Sequence, residues 1–149
     1  MEVLSWREVD LASVTLAGLA AGYAMALVGL WAGRVPGLVA IDIADFGRRY
    51  MVSDRASAWL LGFASHLANS FLLTLVWATI VEPSLDWPLW LEGVVWGEFL
   101  AVVLAGLLVA PLSGQGFMGV RSGSLRFAAT DLVMHAVWGL LVGVIYVGP

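Results

Sequence analysis

The chain has 149 residues, of which 61% are hydrophobic and 12% charged, and its net charge is −4. A soluble domain carries about 25% charged residues, so this composition excludes a water-soluble globule and indicates an integral membrane protein. The absence of cysteine excludes disulfides and metal–thiolate sites, and the acidic balance argues against a nucleic-acid partner.

Four segments are long and apolar enough to cross a bilayer, which takes about 20 residues. They run roughly over residues 11–33, 56–81, 89–112 and 125–147. We therefore expect an all-α fold, in which residues 1–149 form a single transmembrane domain, a four-helix bundle. The lipid bilayer is then the first partner of the chain.

The arginines predict the orientation of these helices. Four crossings place both termini on one face, and the loops 34–55 and 113–124 on the other. Those two loops and the start of the fourth helix hold every arginine except Arg7. Because positively charged loops stay in the cytoplasm, we expect both loops to be cytoplasmic and both termini to lie outside.

The first loop carries a helical pattern. Its apolar residues are spaced by four, three and four positions, which is one face of a helix. They are Val39, Ile43, Phe46 and Tyr50. We therefore predict a short amphipathic helix in the cytoplasmic interface. It would either contact lipid or a partner, or cap the bundle.

The helices also show an internal repeat. Helices 2 and 4 share the spacing histidine-x3-small-x3-small-x2-aromatic, with His66, Ser70, Thr74 and Trp77 in one and His135, Gly139, Gly143 and Tyr146 in the other. Helices 1 and 3 share glycine-x3-glycine-x3-alanine and a later proline, with Gly18, Gly22, Ala26 and Pro36 in one and Gly93, Gly97, Ala101 and Pro111 in the other. We expect two copies of one helical hairpin, over about residues 11–82 and 88–149, related by an axis along the membrane normal. Small residues let membrane helices approach closely, so the six glycines of these stripes are predicted to mark helix contacts.

The histidine–small–small spacing in helices 2 and 4 resembles that of a group of small prokaryotic membrane proteins of unknown function, which includes the YagU-like inner-membrane proteins. The resemblance covers most of the chain. It implies four helices in a prokaryotic plasma (inner) membrane. Ser70 and Thr74 stand where glycines are usual in that group. No biochemical activity comes with the resemblance.

Two histidines and an aspartate inside the predicted spans suggest a cofactor site. His66 and His135 each lie about ten residues into their helices, or ~15 Å at the rise of an α-helix. At one depth on facing helices they could bind a b-type haem, with Asp131 orienting the imidazole of His135. The alternative is that each histidine is a packing residue whose ring bonds a neighbouring hydroxyl, amide or carbonyl, and that Asp131 makes a local ion pair or hydrogen bond.

One further acid, Glu98, has no evident cation at its level, although a charge inside the bilayer costs at least about 2.5 kcal/mol. It could face a partner subunit or a small aqueous cavity. Since no spacing links serine, histidine and acid into a catalytic unit, we predict neither catalytic residues nor a metal site.

Three functions are compatible with this sequence. The first is a non-catalytic accessory or structural subunit that packs against other membrane protein subunits, for example in a respiratory or other energy-transducing complex. The second is an electron-transfer subunit in which His66 and His135 hold haem b. The third is a small proton-coupled transporter that acts as an oligomer and uses Glu98.

Overall fold

The computed structural model describes residues 4–45 and 55–148, and four long apolar helices account for most of them. Helix α1 is Leu11–Ala32, and α4 is Arg126–Ile145. Helix α2 is Ala56–Val76, extended by a π-helical segment, Trp77–Val81, and a 3-10 turn, Glu82–Ser84. Helix α3 is Leu89–Leu100, extended by a π-helical segment, Ala101–Val109, and a last turn, Ala110–Leu112. The predicted all-α class is confirmed over the described residues, and each of the four helices is long and apolar enough to cross a membrane.

The helix ends follow from local chemistry. Asp10 caps α1, because its side chain accepts the N–H groups of Ala12 (2.9 Å) and Ser13 (3.2 Å). Pro88 precedes the first turn of α3, where its missing N–H is not needed. Helix α2 extends three residues beyond the predicted end, since a 3-10 turn that contains Pro83 follows the π-helical segment.

Helices α1 and α4 form the centre of the bundle. Helix α2 packs on α1, and α3 packs on α4. The two outer helices meet at one end, where the segment Trp77–Val81 contacts α3 and the Trp96 indole N–H donates to the Leu73 carbonyl (3.3 Å). The first and last described residues lie at that end of the bundle, since the Leu4 N–H donates to the Thr79 carbonyl (2.9 Å) and the Val147 N–H to Ser13 Oγ (2.7 Å). Towards the other end α2 and α3 separate and leave a cleft between them.

Glycines set the closest contact, between α3 and α4. A β-carbon added at Gly93 would collide with the carbonyl oxygen of Gly139, and one added at Gly139 would collide with the carbonyl oxygen of Gly93. Gly97 and Gly143 also face backbone atoms of the opposite helix. These two helices therefore touch backbone to backbone, as small-residue stripes allow in membranes.

The contact between α1 and α2 uses glycine on one side only. A β-carbon at Gly18 would lie 2.9 Å from Phe71 Cα, and one at Gly22 would lie 2.7 Å from Ser70 Oγ. All six glycines singled out from the sequence thus lie at helix contacts.

The prediction of a helix across Val39 in the first loop is wrong. Residues 38–42 form no helix, and a helical turn begins only at Ile43. The backbone bonds to the bundle instead: the Val39 N–H donates to Thr130 Oγ1 and the Ile41 N–H to the Gly29 carbonyl, both at 2.9 Å. The predicted positions Phe46 and Tyr50 lie outside the described residues.

Candidate functional site

The cleft between α2 and α3 contains a cavity of about 360 Å³. Helices α1 and α4 form its back wall, and the side chains of Ile41 and Ile43 lie at the end away from the chain termini. Small-molecule sites measure about 300–1,000 Å³ and are mostly apolar with a few placed polar groups. The cavity fits that description. His66, Asp131 and His135, which the sequence analysis singled out, all line it.

His66 is held by a backbone carbonyl of the neighbouring helix. Its Nε2 lies 2.9 Å from the carbonyl oxygen of Gly22 on α1. A carbonyl only accepts, so this nitrogen carries a proton and donates it. The neutral ring then has a free lone pair on Nδ1, which has no hydrogen-bond partner among the described residues.

His135 is held by a backbone carbonyl of its own helix. Its Nδ1 lies 2.9 Å from the carbonyl oxygen of Asp131, and Asp131 Oδ1 lies 3.3 Å from the same nitrogen. By the same reasoning Nδ1 donates, and Nε2 has no hydrogen-bond partner among the described residues. Main-chain carbonyls therefore hold both imidazoles. This agrees with the alternative that each histidine is a packing residue whose ring bonds a neighbouring carbonyl.

The Asp131 carboxylate is the exceptional group of the cavity wall. Its side chain is 8% exposed. One of its oxygens, Oδ2, is buried with no hydrogen-bond partner in the described part of the chain. Leaving a buried acceptor unpaired costs about 1–3 kcal/mol, and more for a charged group.

A hydrogen-bond chain that the sequence analysis did not find crosses the bundle behind the cavity. The Trp138 indole N–H on α4 donates to Ser70 Oγ on α2, and the Ser70 hydroxyl donates to the Gly18 carbonyl on α1, both at 2.6 Å. Trp138 is 2% exposed and Ser70 3%. These two hydrogen bonds link three helices and use the indole N–H of Trp138 and the hydroxyl proton of Ser70.

The two histidines do not fit a b-type haem equally well. His135 is arranged as an axial ligand, because a donated Nδ1–H fixes the ring and leaves Nε2 free. His66 has the opposite arrangement: its Nε2 is engaged with Gly22, and the remaining Nδ1 lies beside the side-chain stem. The pair as it stands therefore disagrees with bis-histidine ligation, which would require the His66 ring to release Gly22. The described residues also contain no group of three or more His, Cys, Asp or Glu side chains that could hold a metal ion.

Comparison with known proteins gives no family for this chain. No protein-family model, curated protein or solved structure matches it. The resemblance to the YagU-like proteins stays a prediction, and the case for a function rests on the cavity.

The two acids of α3 lie outside the cavity. Glu98 is half-buried. Glu92 is 1% exposed. Its Oε1 accepts the Trp87 N–H at 3.1 Å. A carboxylate in the first turn of a helix interacts favourably with the helix dipole, so Glu92 fixes the entry into α3.

Proposed function

We propose that this chain spans the membrane and binds a small, largely apolar molecule in the cavity between α2 and α3. One observation carries the proposal: an apolar cavity of about 360 Å³ is lined by three polar residues of the apolar helices, His66, Asp131 and His135. Apolar cavities with a few polar groups are typical of small-molecule sites.

The molecule would enter from the lipid phase. Helices α2 and α3 make little contact beside the cavity, so the cleft opens sideways. Ser65 and Asn69 on α2 line the cavity and are exposed at its mouth. With the arginine-rich loops in the cytoplasm, the cavity lies in the cytoplasmic half of the bilayer and both chain ends lie outside.

The packing of the two hairpins supports their origin as a repeat. In the first hairpin Gly18 faces Thr74 and Gly22 faces Ser70. In the second, Gly93 faces Gly143 and Gly97 faces Gly139, the equivalent positions of the pattern. In the repeat, α1 corresponds to α3 and α4 corresponds to α2. Helix α1 packs on α4, but the corresponding pair, α3 and α2, separates, and the cavity lies between them.

The ligand is tested by filling the cavity. Ala105 on the π-helical segment of α3 lines it, and Val103, two residues earlier, is 42% exposed on the outer surface. Wild type, Ala105→Phe and Val103→Phe would be purified from native membranes, and their bound small molecules extracted and identified by mass spectrometry. We expect one apolar compound to be enriched in wild type and Val103→Phe and reduced at least tenfold in Ala105→Phe. Identical extracts from all three would overturn the proposal.

The haem hypothesis has its own readout in the same preparations. If haem is the ligand, wild type shows a Soret band that His66→Ala and His135→Ala both abolish. A colourless protein, prepared with full haem supply, would remove that hypothesis and leave the cavity to another molecule.

A second candidate function, an accessory subunit of a larger membrane assembly, is favoured by the surface of α2. Only 17% of its most apolar window is buried, against 44% in α1 and in α4. Its outward face carries small or polar residues at helical spacing, namely Ala64, Ser65, Ala68 and Asn69. Small and polar residues on one helix face are what membrane helices use to associate.

The accessory-subunit hypothesis predicts loss of a partner when that face is made bulky. Ala68→Leu should release a co-purifying membrane protein in mild detergent, whereas Leu72→Ile, on the same face but without added volume, should retain it. Equal recovery with both variants would count against a partner at α2. No geometric observation favours the third hypothesis, proton-coupled transport through Glu98, which stays a prediction.

A further inference from the structure

We infer that the ligand of this cavity is an uncharged long-chain alcohol, held with its hydroxyl near the middle of the membrane and its apolar chain towards the loop end of the bundle. The loop end is the end where α2 and α4 begin and α3 ends. This inference rests on the proposed function, since it names the molecule bound between α2 and α3 and its orientation. It follows from the way polar and apolar residues divide the cavity wall.

The polar residues of the wall lie near the middle of the bundle. His66 lies ten residues after the start of the 21-residue helix α2, and His135 lies nine residues after the start of the 20-residue helix α4. Ser65 and Asn69 lie within one turn of His66 on the same helix. In a chain that spans the bilayer, this part of the wall is therefore near mid-membrane depth.

The loop end of the cavity is apolar. Phe127 is the second residue of α4, and Ala110 begins the last turn of α3, directly after Val109. None of these three side chains can form a hydrogen bond. A phospholipid carries its head group at the membrane surface, so in this cavity the head group would meet the apolar end. The wall instead fits a molecule whose polar group lies deep in the membrane.

Ser65 and Asn69 supply the groups that a ligand can bond. Both residues line the cavity and are exposed, and neither side chain has a hydrogen-bond partner among the described residues. A hydroxyl and a carboxamide can each donate and accept, so they match a ligand group that does both. Lipid chains beside the cleft offer no such partner, and an unpaired polar group in apolar surroundings is costly.

A charged head group is disfavoured at this depth, because a charge inside the bilayer is costly without a partner. Among the described residues of the wall, Asp131 is the one acid and there is no arginine. The Asp131 carboxylate is not free for a cation: its Oδ1 lies 3.3 Å from His135 Nδ1, and its Oδ2 has less than 1 Å² exposed. A hydroxyl is uncharged and both donates and accepts, so it meets both conditions.

The head group is tested with three molecules that share one chain length. Dodecanol, dodecane and dodecyl phosphate would be titrated by calorimetry into lipid nanodiscs with and without the protein, so that the empty discs measure partitioning into lipid. At equal concentration in the bilayer, we expect the alcohol to bind the protein at least fivefold more tightly than either of the others. Ala105→Phe, which fills the cavity, should abolish binding of all three.

Two substitutions on α2 test the polar part of the wall. Asn69→Leu removes the carboxamide at similar volume, and we expect the affinity for dodecanol to fall at least fivefold. Binding of dodecane should persist in that variant, which would show that the cavity is intact. Ser65→Ala should weaken binding of dodecanol at least twofold, whereas Ser57→Ala, on the same helix but outside the cavity, should leave it unchanged.

A substitution at the loop end tests the orientation of the ligand. Ala110→Phe should weaken binding of dodecanol at least fivefold and leave the shorter octanol unaffected, because a short chain held by its hydroxyl at mid-membrane does not reach Ala110. Leu108→Phe is the control, since Leu108 is 50% exposed and does not line the cavity. It should change neither affinity. A ligand held the other way round would place its hydroxyl beside Ala110, and Ala110→Phe would then weaken both alcohols.

The outcomes separate this inference from the proposed function. The inference is overturned if dodecane, dodecyl phosphate or dodecylammonium binds as tightly as dodecanol, if Asn69→Leu leaves binding of dodecanol unchanged, or if Ala110→Phe weakens both alcohols. The cavity remains a binding site in those cases if the membrane extracts still show a compound that Ala105→Phe loses. If no probe binds and the extracts show no such compound, both proposals are overturned.

Discussion

Replacing Gly139 by alanine is expected to lower the free energy of unfolding by about 2–3 kcal/mol, at the upper end of the cost of overpacking. The added β-carbon would collide with the Gly93 carbonyl oxygen, which is backbone and cannot rotate away. Helices α3 and α4 would have to separate along the closest contact of the bundle. The measurement is unfolding in detergent by increasing sodium dodecyl sulfate, followed by tryptophan fluorescence.

Gly148→Ala is the control for this substitution. A β-carbon there would lie 3.5 Å from its nearest neighbour, Glu82 Oε1, which is an ordinary contact. We expect a change within about 0.5 kcal/mol, as for surface substitutions away from special features. The double variant Gly93→Ala/Gly139→Ala should cost less than the sum of its parts, since the same separation relieves both clashes. A Gly139→Ala protein as stable as wild type would contradict the backbone contact.

Ser70→Ala is expected to destabilise the bundle by about 1–3 kcal/mol, the cost of leaving a buried donor unpaired. The variant removes the only acceptor that the described residues offer to the Trp138 indole N–H, deep between α2 and α4. It also removes the hydroxyl that binds α1 at Gly18. The same detergent unfolding assay measures the loss.

A double-mutant cycle with Trp138→Phe separates the hydrogen bond from the change in packing. Hydrogen bonds between membrane helices have given coupling energies of about 0.6 kcal/mol on average and up to about 1.7 kcal/mol. We expect the upper half of that range, because the serine couples to a second helix as well. Thr79→Ala is the control: its hydroxyl donates to the Leu75 carbonyl of its own helix (2.8 Å), so the loss should be small. Strictly additive single effects would show that the Ser70–Trp138 bond contributes nothing.

Much of the fold was predictable from the sequence because the membrane imposes simple rules. Helix lengths follow from bilayer thickness, and the start of α1 follows from the cap at Asp10. Glycine spacing predicted which faces touch, since Gly93 and Gly139 have no side chain to keep the helices apart. These signals are local or periodic, so one sequence is enough to find them.

The site was only partly predictable. Histidine depth placed His66 and His135 at one level, and both line one cavity. Their hydrogen-bond partners could not be foreseen: main-chain carbonyls carry no residue-type signal, and Gly22 offers one only because α1 comes close. The bond between Ser70 and Trp138 joins residues 68 positions apart. Only the packing of the hairpins brings them together.

The cavity had no sequence signal, and the signal in the first loop was misleading. The cavity exists because α2 and α3 touch near the Trp96–Leu73 hydrogen bond and separate beyond it. The way two helices are inclined to each other leaves no local pattern in the sequence. In the first loop the apolar spacing from Val39 suggested a helix, but Thr130 on α4 binds the Val39 backbone instead. A tertiary hydrogen bond of this kind overrides a short local pattern.

The first and last helices, α1 and α4, are neighbours, and the Val147 N–H donates to Ser13 Oγ beside them. The chain could therefore start at another loop without losing a contact between helices. A circularly permuted gene that starts at Leu89 and joins residues 148 and 4 by a short linker would keep every helix pair. The second hairpin would then be synthesised before the first. The permuted protein would show whether the arrangement of the helices depends on the order in which the hairpins are made.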